Sequence, residues 1–177
     1  MDEEEAIQHL RRKNEGKILE YQKEVDELIH EIDTIKREPR ASAILVEGYI
    51  SYICERLLAY RFDVDVFDHL DLHAKRELLQ KLGIINKELS KDIAKVQEIR
   101  NIYAHKRKIK DQGVLNELNN KMRSTHTFTL MNKDFQNRLE GFELFLSIAS
   151  HILTQLNQKY NMLMIAEINK YAELLKK

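Results

Sequence analysis

Arg100-Asn101-Ile102-Tyr103-Ala104-His105, followed at once by Lys106-Arg107-Lys108-Ile109-Lys110, closes the segment whose periodicity decides the fold. Read backwards from it, Tyr103, Arg100, Val96, Ile93 and Leu89 are spaced three and four residues apart. That spacing is one face of a 3.6-residue helix. Arg100 therefore stands on an apolar stripe, where a charge is expensive unless something pairs with it. A charge in that position, with a histidine five residues on and a basic run behind it, is the most informative pattern in the chain.

Outward from this helix, the composition points to an all-α fold. The 177 residues are 43% hydrophobic and 33% charged, with one Pro, five Gly and no Trp, so helix breakers are few. The length suits one domain, 1–177, with a sizeable core. Within it we expect a long N-terminal helix over 1–38, central helices over 40–110 and a long C-terminal helix over 132–177. Lys+Arg and Asp+Glu are both 29, so any attraction for nucleic acid has to come from a local patch. The single Cys54 excludes an intrachain disulfide and a cysteine-based zinc site, and its apolar surroundings read as core packing. No run approaches the roughly 20 apolar residues of a membrane span, and the acidic N-terminus is unlike a signal peptide. The expected setting is cytoplasmic, with no membrane partner.

In chain order, residues 4–37 read as one helix ending before Pro39. Ile18, Tyr21, Val25, Leu28, Ile32 and Ile35 keep heptad spacing, which fits either packing within its own bundle or a seam between two copies. In the helix Arg40 to Arg61 the stretch Ala41 to Ile50 is apolar nearly all round, the mark of a central helix, and Glu47 is the one charge in that stretch. Glu47 is the first candidate to neutralise Arg100. Asp68 or Asp71 caps the next helix, Gly83 stops it, and Asn86 or Ser90 opens the helix that carries Arg100. Asp111-Gln112-Gly113 reads as a turn, Val114 to Met122 as a short helix, and Thr125 to Leu130 as an extended crossing segment. From Asn132, Phe135, Leu139, Phe142, Leu146, Ala149, Leu153, Leu156, Tyr160 and Leu163 keep four-three spacing. The stripe then shifts by one to Met164, Ile168, Tyr171 and Leu175, while Phe145, Ile148 and Ile152 widen its middle.

The chain has no Gly-rich phosphate loop, His-Glu-x-x-His, paired Cys or nucleophile elbow, and no cofactor is expected. His69 and His73, four apart, could share a metal, but a third ligand would have to come from Asp65, Asp68 or Asp71. More often such histidines are solvated, and no metal site is expected. Basic residues also gather in the last turn of helices for dipole reasons alone, which is the plain reading of Arg100 and His105. Residues five apart on a helix point roughly 140° away from one another, so these two side chains meet one phosphate only at a helix end or across two chains.

The hexapeptide resembles the signature of HEPN domains, an Arg and a His separated by four to six residues, with the polar Asn101 after the Arg. Upstream, Arg40-Ala41-Ser42-Ala43-Ile44-Leu45 with Glu55-Arg56-Leu57-Leu58, and Leu82-Gly83-Ile84-Ile85-Asn86-Lys87-Glu88, resemble the mannitol operon repressor-like branch. The likeness spans about residues 40–110. It implies an HEPN-like helical bundle that forms a homodimer through the motif helices, with a metal-independent ribonuclease site between chains. By that resemblance His105 would activate a 2′-hydroxyl or protonate the leaving oxygen, Arg100 would hold the phosphate, and Asn101 would orient it. Tyr103 and Glu47 would support them, and Lys106, Arg107, Lys108 and Lys110 would track the RNA backbone. Some toxin members carry a tyrosine two residues after the histidine; here Arg107 stands there. The implied setting is RNA cleavage in defence or stress, with a protein regulator or antitoxin as a further partner. The alternative is a non-catalytic regulator that uses the same dimer surface.

Overall fold

Pro39, the only proline, opens the first fully described helix, α1 (Pro39–Phe62), at the position where a missing N–H costs nothing. The computed structural model describes residues 38–62, 66–105 and 111–174, together with 5, 8, 12, 15, 16, 19–24, 26, 27, 30, 31 and 34. After α1 come α2 (Leu72–Lys81), α3 (Lys87–His105), α4 (Gln112–Arg123), α5 (His126–Leu130), α6 (Lys133–Arg138) and α7 (Gly141–Leu174). The described positions from 5 to 34 are helical as well. Among the described residues there is no strand, and the fold is all-α.

Polar residues set most of the boundaries. Asp71 caps α2 through the Ala74 N–H at 2.7 Å, and Asn86 caps α3 through the Leu89 N–H at 2.8 Å. Between them Gly83, at φ 69°, lets its own N–H reach the Gln80 carbonyl while the Ile84 N–H reaches Leu79. That is a Schellman stop, and Leu79 and Ile84 bury together over it. Asp111 accepts from the Gly113 N–H, so Asp111-Gln112-Gly113 is a cap and the first turn of α4 rather than a free turn.

α1 is the central element and packs against α2, α3 and α7. Ala43, Val46, Ile50, Ile53, Cys54, Leu57 and Leu58 are all essentially fully buried, each large side chain contributing roughly 1.5–3 kcal/mol on burial. Arg100 and Gln97 of α3 meet Glu47, whereas Lys75 of α2 reaches Glu55. Tyr103 packs on Phe142 and Phe145 near the start of α7, and Tyr160 meets Tyr60 near the end of α1. These pairs run α7 parallel to α1 and α3 antiparallel to it. Phe145, Ile148 and Ile152 are all fully buried, as a helix with more than one neighbour requires.

The N-terminal segment lies along this core. Tyr21 is 1% exposed, its ring 4.4 Å from Tyr160 and its hydroxyl bonded to Asn157 Oδ1. Tyr52 donates to Glu24 at 2.5 Å and Tyr49 to Glu31 at 2.9 Å. At Tyr21, then, the heptad stripe packs within its own chain. Ile18, Val25, Leu28, Ile32 and Ile35 lie outside the described residues, as do Leu175 and the side chains of Ile168 and Tyr171.

Two expectations are corrected. The C-terminal helix does not begin at Asn132. Asn132 caps the short α6, Leu139 is extended (ψ 131°), and Gly141 at φ 56° restarts the chain as α7. Phe135, which keeps the four-three spacing, is 58% exposed, so periodicity runs through a break that a left-handed glycine makes. Thr125 to Leu130 is not extended either. Thr125 caps α5 through the Phe128 N–H at 3.1 Å, and Asp92 of α3 accepts from the His126 and Thr127 N–H groups at 2.8 and 2.6 Å.

Candidate functional site

The last turns of α3 carry the residues singled out by sequence. Ile99, Ile102 and Tyr103 face the core and fix the helix's rotation, which leaves Arg100 at the rim beside α1. Its side chain is 28% exposed and that of Glu47 is 20% exposed, so both keep some water. Arg100 Nε lies 2.7 Å from Glu47 Oε2, a close ion pair, although the N–H does not point along the contact. Nη1 donates to Asn101 Oδ1 at 3.0 Å. Glu47 Oε1 receives a long hydrogen bond from Gln97 Nε2 at 3.5 Å. Gln97 was not visible as a site residue in the sequence; its position one turn before Arg100 on the same side of the helix was the available signal.

Asn101 is exposed, and so is His105, the last residue of α3. Five residues separate His105 from Arg100, so on one helix the two project roughly 140° apart. One chain thus brings Arg100, Asn101, Glu47 and Gln97 together and leaves His105 apart from them. Tyr103 is buried in the aromatic contact with Phe142 and Phe145, and burial pushes its hydroxyl up to about 12. It anchors the helix from inside the core. Lys106, Arg107, Lys108 and Lys110 lie outside the described residues.

The opposite side of α3 borders a cleft of about 490 Å³, lined among others by Arg76, Lys91, Asp92, Lys95 and His126. Its charges are largely engaged with one another. Arg76 donates to the Ser90 carbonyl at 3.1 Å and contacts His73 and Glu77, while Glu98 bridges Lys95 and Lys121. Asp92 holds α5 and also accepts from the Thr127 hydroxyl at 2.6 Å. The sequence carried no local signal for this junction, because the partners of Asp92 lie more than thirty residues away.

His73 Nδ1 sits 2.7 Å from Arg76 Nη2, and arginine can only donate, so that nitrogen accepts and is occupied. His69 Nδ1 is 3.6 Å from Asp68, and Asp65 lies outside the described residues. Among the described residues no group of three His, Cys, Asp or Glu side chains could hold a metal ion. Cys54 is fully buried, its thiol pushed up to about 12 by that burial, which makes it a poor nucleophile. Among the described residues no helix is long and apolar enough to cross a membrane. No family model, curated protein or solved structure matches the chain.

Proposed function

We propose that the protein is an RNA-binding HEPN-like homodimer that cleaves RNA without a metal, through Arg100, Asn101 and His105. The observation that carries this reading is Arg100 at the α1–α3 rim, anchored by Glu47 and touching Asn101, with His105 exposed at the end of the same helix. Because Arg100 and His105 diverge on one chain, a complete site takes His105 from the second copy. A 2′-hydroxyl then attacks the adjacent phosphorus, forming the 2′-O–P bond and breaking the bond to the 5′-oxygen. The His105 of that second copy takes the hydroxyl proton, and water supplies a proton to the leaving oxygen. Arg100 neutralises the charge that builds on the phosphate.

The test is purified protein on a broad RNA panel in EDTA. Cleavage should leave 2′,3′-cyclic phosphate ends, and His105→Ala should abolish it. The same substitution should shift stability by no more than about 0.5 kcal/mol, the range of an exposed position. No cutting of any RNA by the pure dimer would remove the enzyme reading.

One observation favours a second reading, a non-catalytic regulator. Glu47 already gives Arg100 a counter-charge within its own chain. Arg100 then needs no second copy, and it serves as a structural charge locking α3 to α1. Under this reading His105→Ala leaves the cellular phenotype unchanged.

A further inference from the structure

The three nitrogens of Arg100 have unequal surroundings. Nε faces Glu47 Oε2, Nη1 donates to Asn101, and Nη2 makes no hydrogen bond among the described residues. A carboxylate beside an arginine ordinarily accepts a parallel pair of N–H groups, one on each oxygen. Glu47 does not. Its second oxygen is turned toward Gln97 Nε2, 3.5 Å away. Gln97 and Arg100 are three residues apart on α3 and flank the same carboxylate, a neutral donor on one side and a charged one on the other.

We infer that Gln97 and Glu47 are positioning residues for Arg100, with Gln97 keeping Glu47 from closing a two-point clamp on the guanidinium. The single contact at Nε restrains the side chain and leaves Nη2 open to an incoming anion. Gln97 itself touches no ligand. The inference deepens the phosphate role proposed for Arg100 and rests on it, since the ligand class is a phosphate group approaching the open nitrogen. Asn101 Oδ1 takes one N–H of Nη1, while Nη2 keeps both of its N–H groups uncommitted among the described residues.

The experiment follows the Arg100 Nε–H signal by NMR during titration of the full-length protein with inorganic phosphate. In the parent protein phosphate should shift this signal saturably. Gln97→Ala releases Glu47 Oε1 to pair with Nη2, and phosphate affinity should fall about threefold, the scale of one weak hydrogen bond. Adding Glu47→Gln to Gln97→Ala removes the competing charge and should restore the parent affinity. That rescue is a readout that a purely packing role for Gln97 would not produce. Parent-like affinity in Gln97→Ala, no recovery in the double variant, or no phosphate-dependent shift in the parent would each overturn the inference. Phosphate binding that depends on Gln97 in a protein that cuts no RNA would uphold it and remove only the ribonuclease reading.

Discussion

Asp92 and Arg100 sit eight residues apart on α3, and the helix treats the two charges in opposite ways. Asp92 is buried and surrounded by donors: two backbone N–H groups of α5 and the Thr127 hydroxyl, all within 2.8 Å. Arg100 is at the rim, with one ion pair, one hydrogen bond and an open nitrogen. A charge that is fully satisfied by its own chain holds structure. A charge with spare hydrogen-bonding capacity at a solvent edge is available for a ligand. Glu98, on the Lys95 and Lys121 side, is a third case, paired but 44% exposed.

The contrast can be broken most forcefully at Asp92. Asp92→Ala strands the buried Thr127 N–H and hydroxyl and the half-buried His126 N–H, and should cost about 3 kcal/mol by chemical denaturation. Asp92→Asn keeps one acceptor and should cost less. A loss under about 1 kcal/mol for Asp92→Ala would mean that Thr125 alone caps α5. Arg100→Ala should be milder, about 1 kcal/mol, because Glu47 is 20% exposed and can take up water. A double-mutant cycle with Glu47→Ala isolates that coupling, and additive losses would show the pair to be energetically silent.

The smallest effect belongs to Glu98. Lys121's hydrogen bond, the largest cause, holds its carboxyl below the usual range against partial burial, with Lys95 adding to it. A depressed folded value stabilises the protein above the unfolded carboxylate pKa of about 4.3 and loses that contribution as pH falls through the folded value. Glu98→Gln should therefore cost about 0.5 kcal/mol at pH 7, unchanged down to pH 5, with the gap closing in more acidic solution. A gap that widened in acid would reverse the assigned sign.

The two charges also differ in how far sequence could find them. Arg100 is conspicuous because four apolar neighbours at helical spacing surround it, and Glu47 because it is the one charge between Ala41 and Ile50. Caps such as Asp71 and Asn86, and the Gly83 stop, announce themselves through local chemistry. Asp92 does not, since what it binds lies 34 and 35 residues onward. For the same reason the alternating Thr125 to Leu130 reads as extended locally, while a distant carboxylate and a threonine cap turn it into a helix. The break at Gly141 hid behind apolar spacing that continues on both sides of it. Gln97's role depends on which oxygen of Glu47 it meets, and helical spacing alone carries no such detail.

Five of the seven tyrosines, Tyr21, Tyr49, Tyr52, Tyr60 and Tyr160, gather where the N-terminal segment lies on α1 and α7, and the chain contains no tryptophan. Two of these phenols donate to carboxylates, an arrangement that quenches their light, and three rings lie close enough to exchange excitation. With no indole to drain that excitation, a change at this seam shows directly in the tyrosine emission. The chain carries a built-in optical gauge of whether its N-terminal segment is seated.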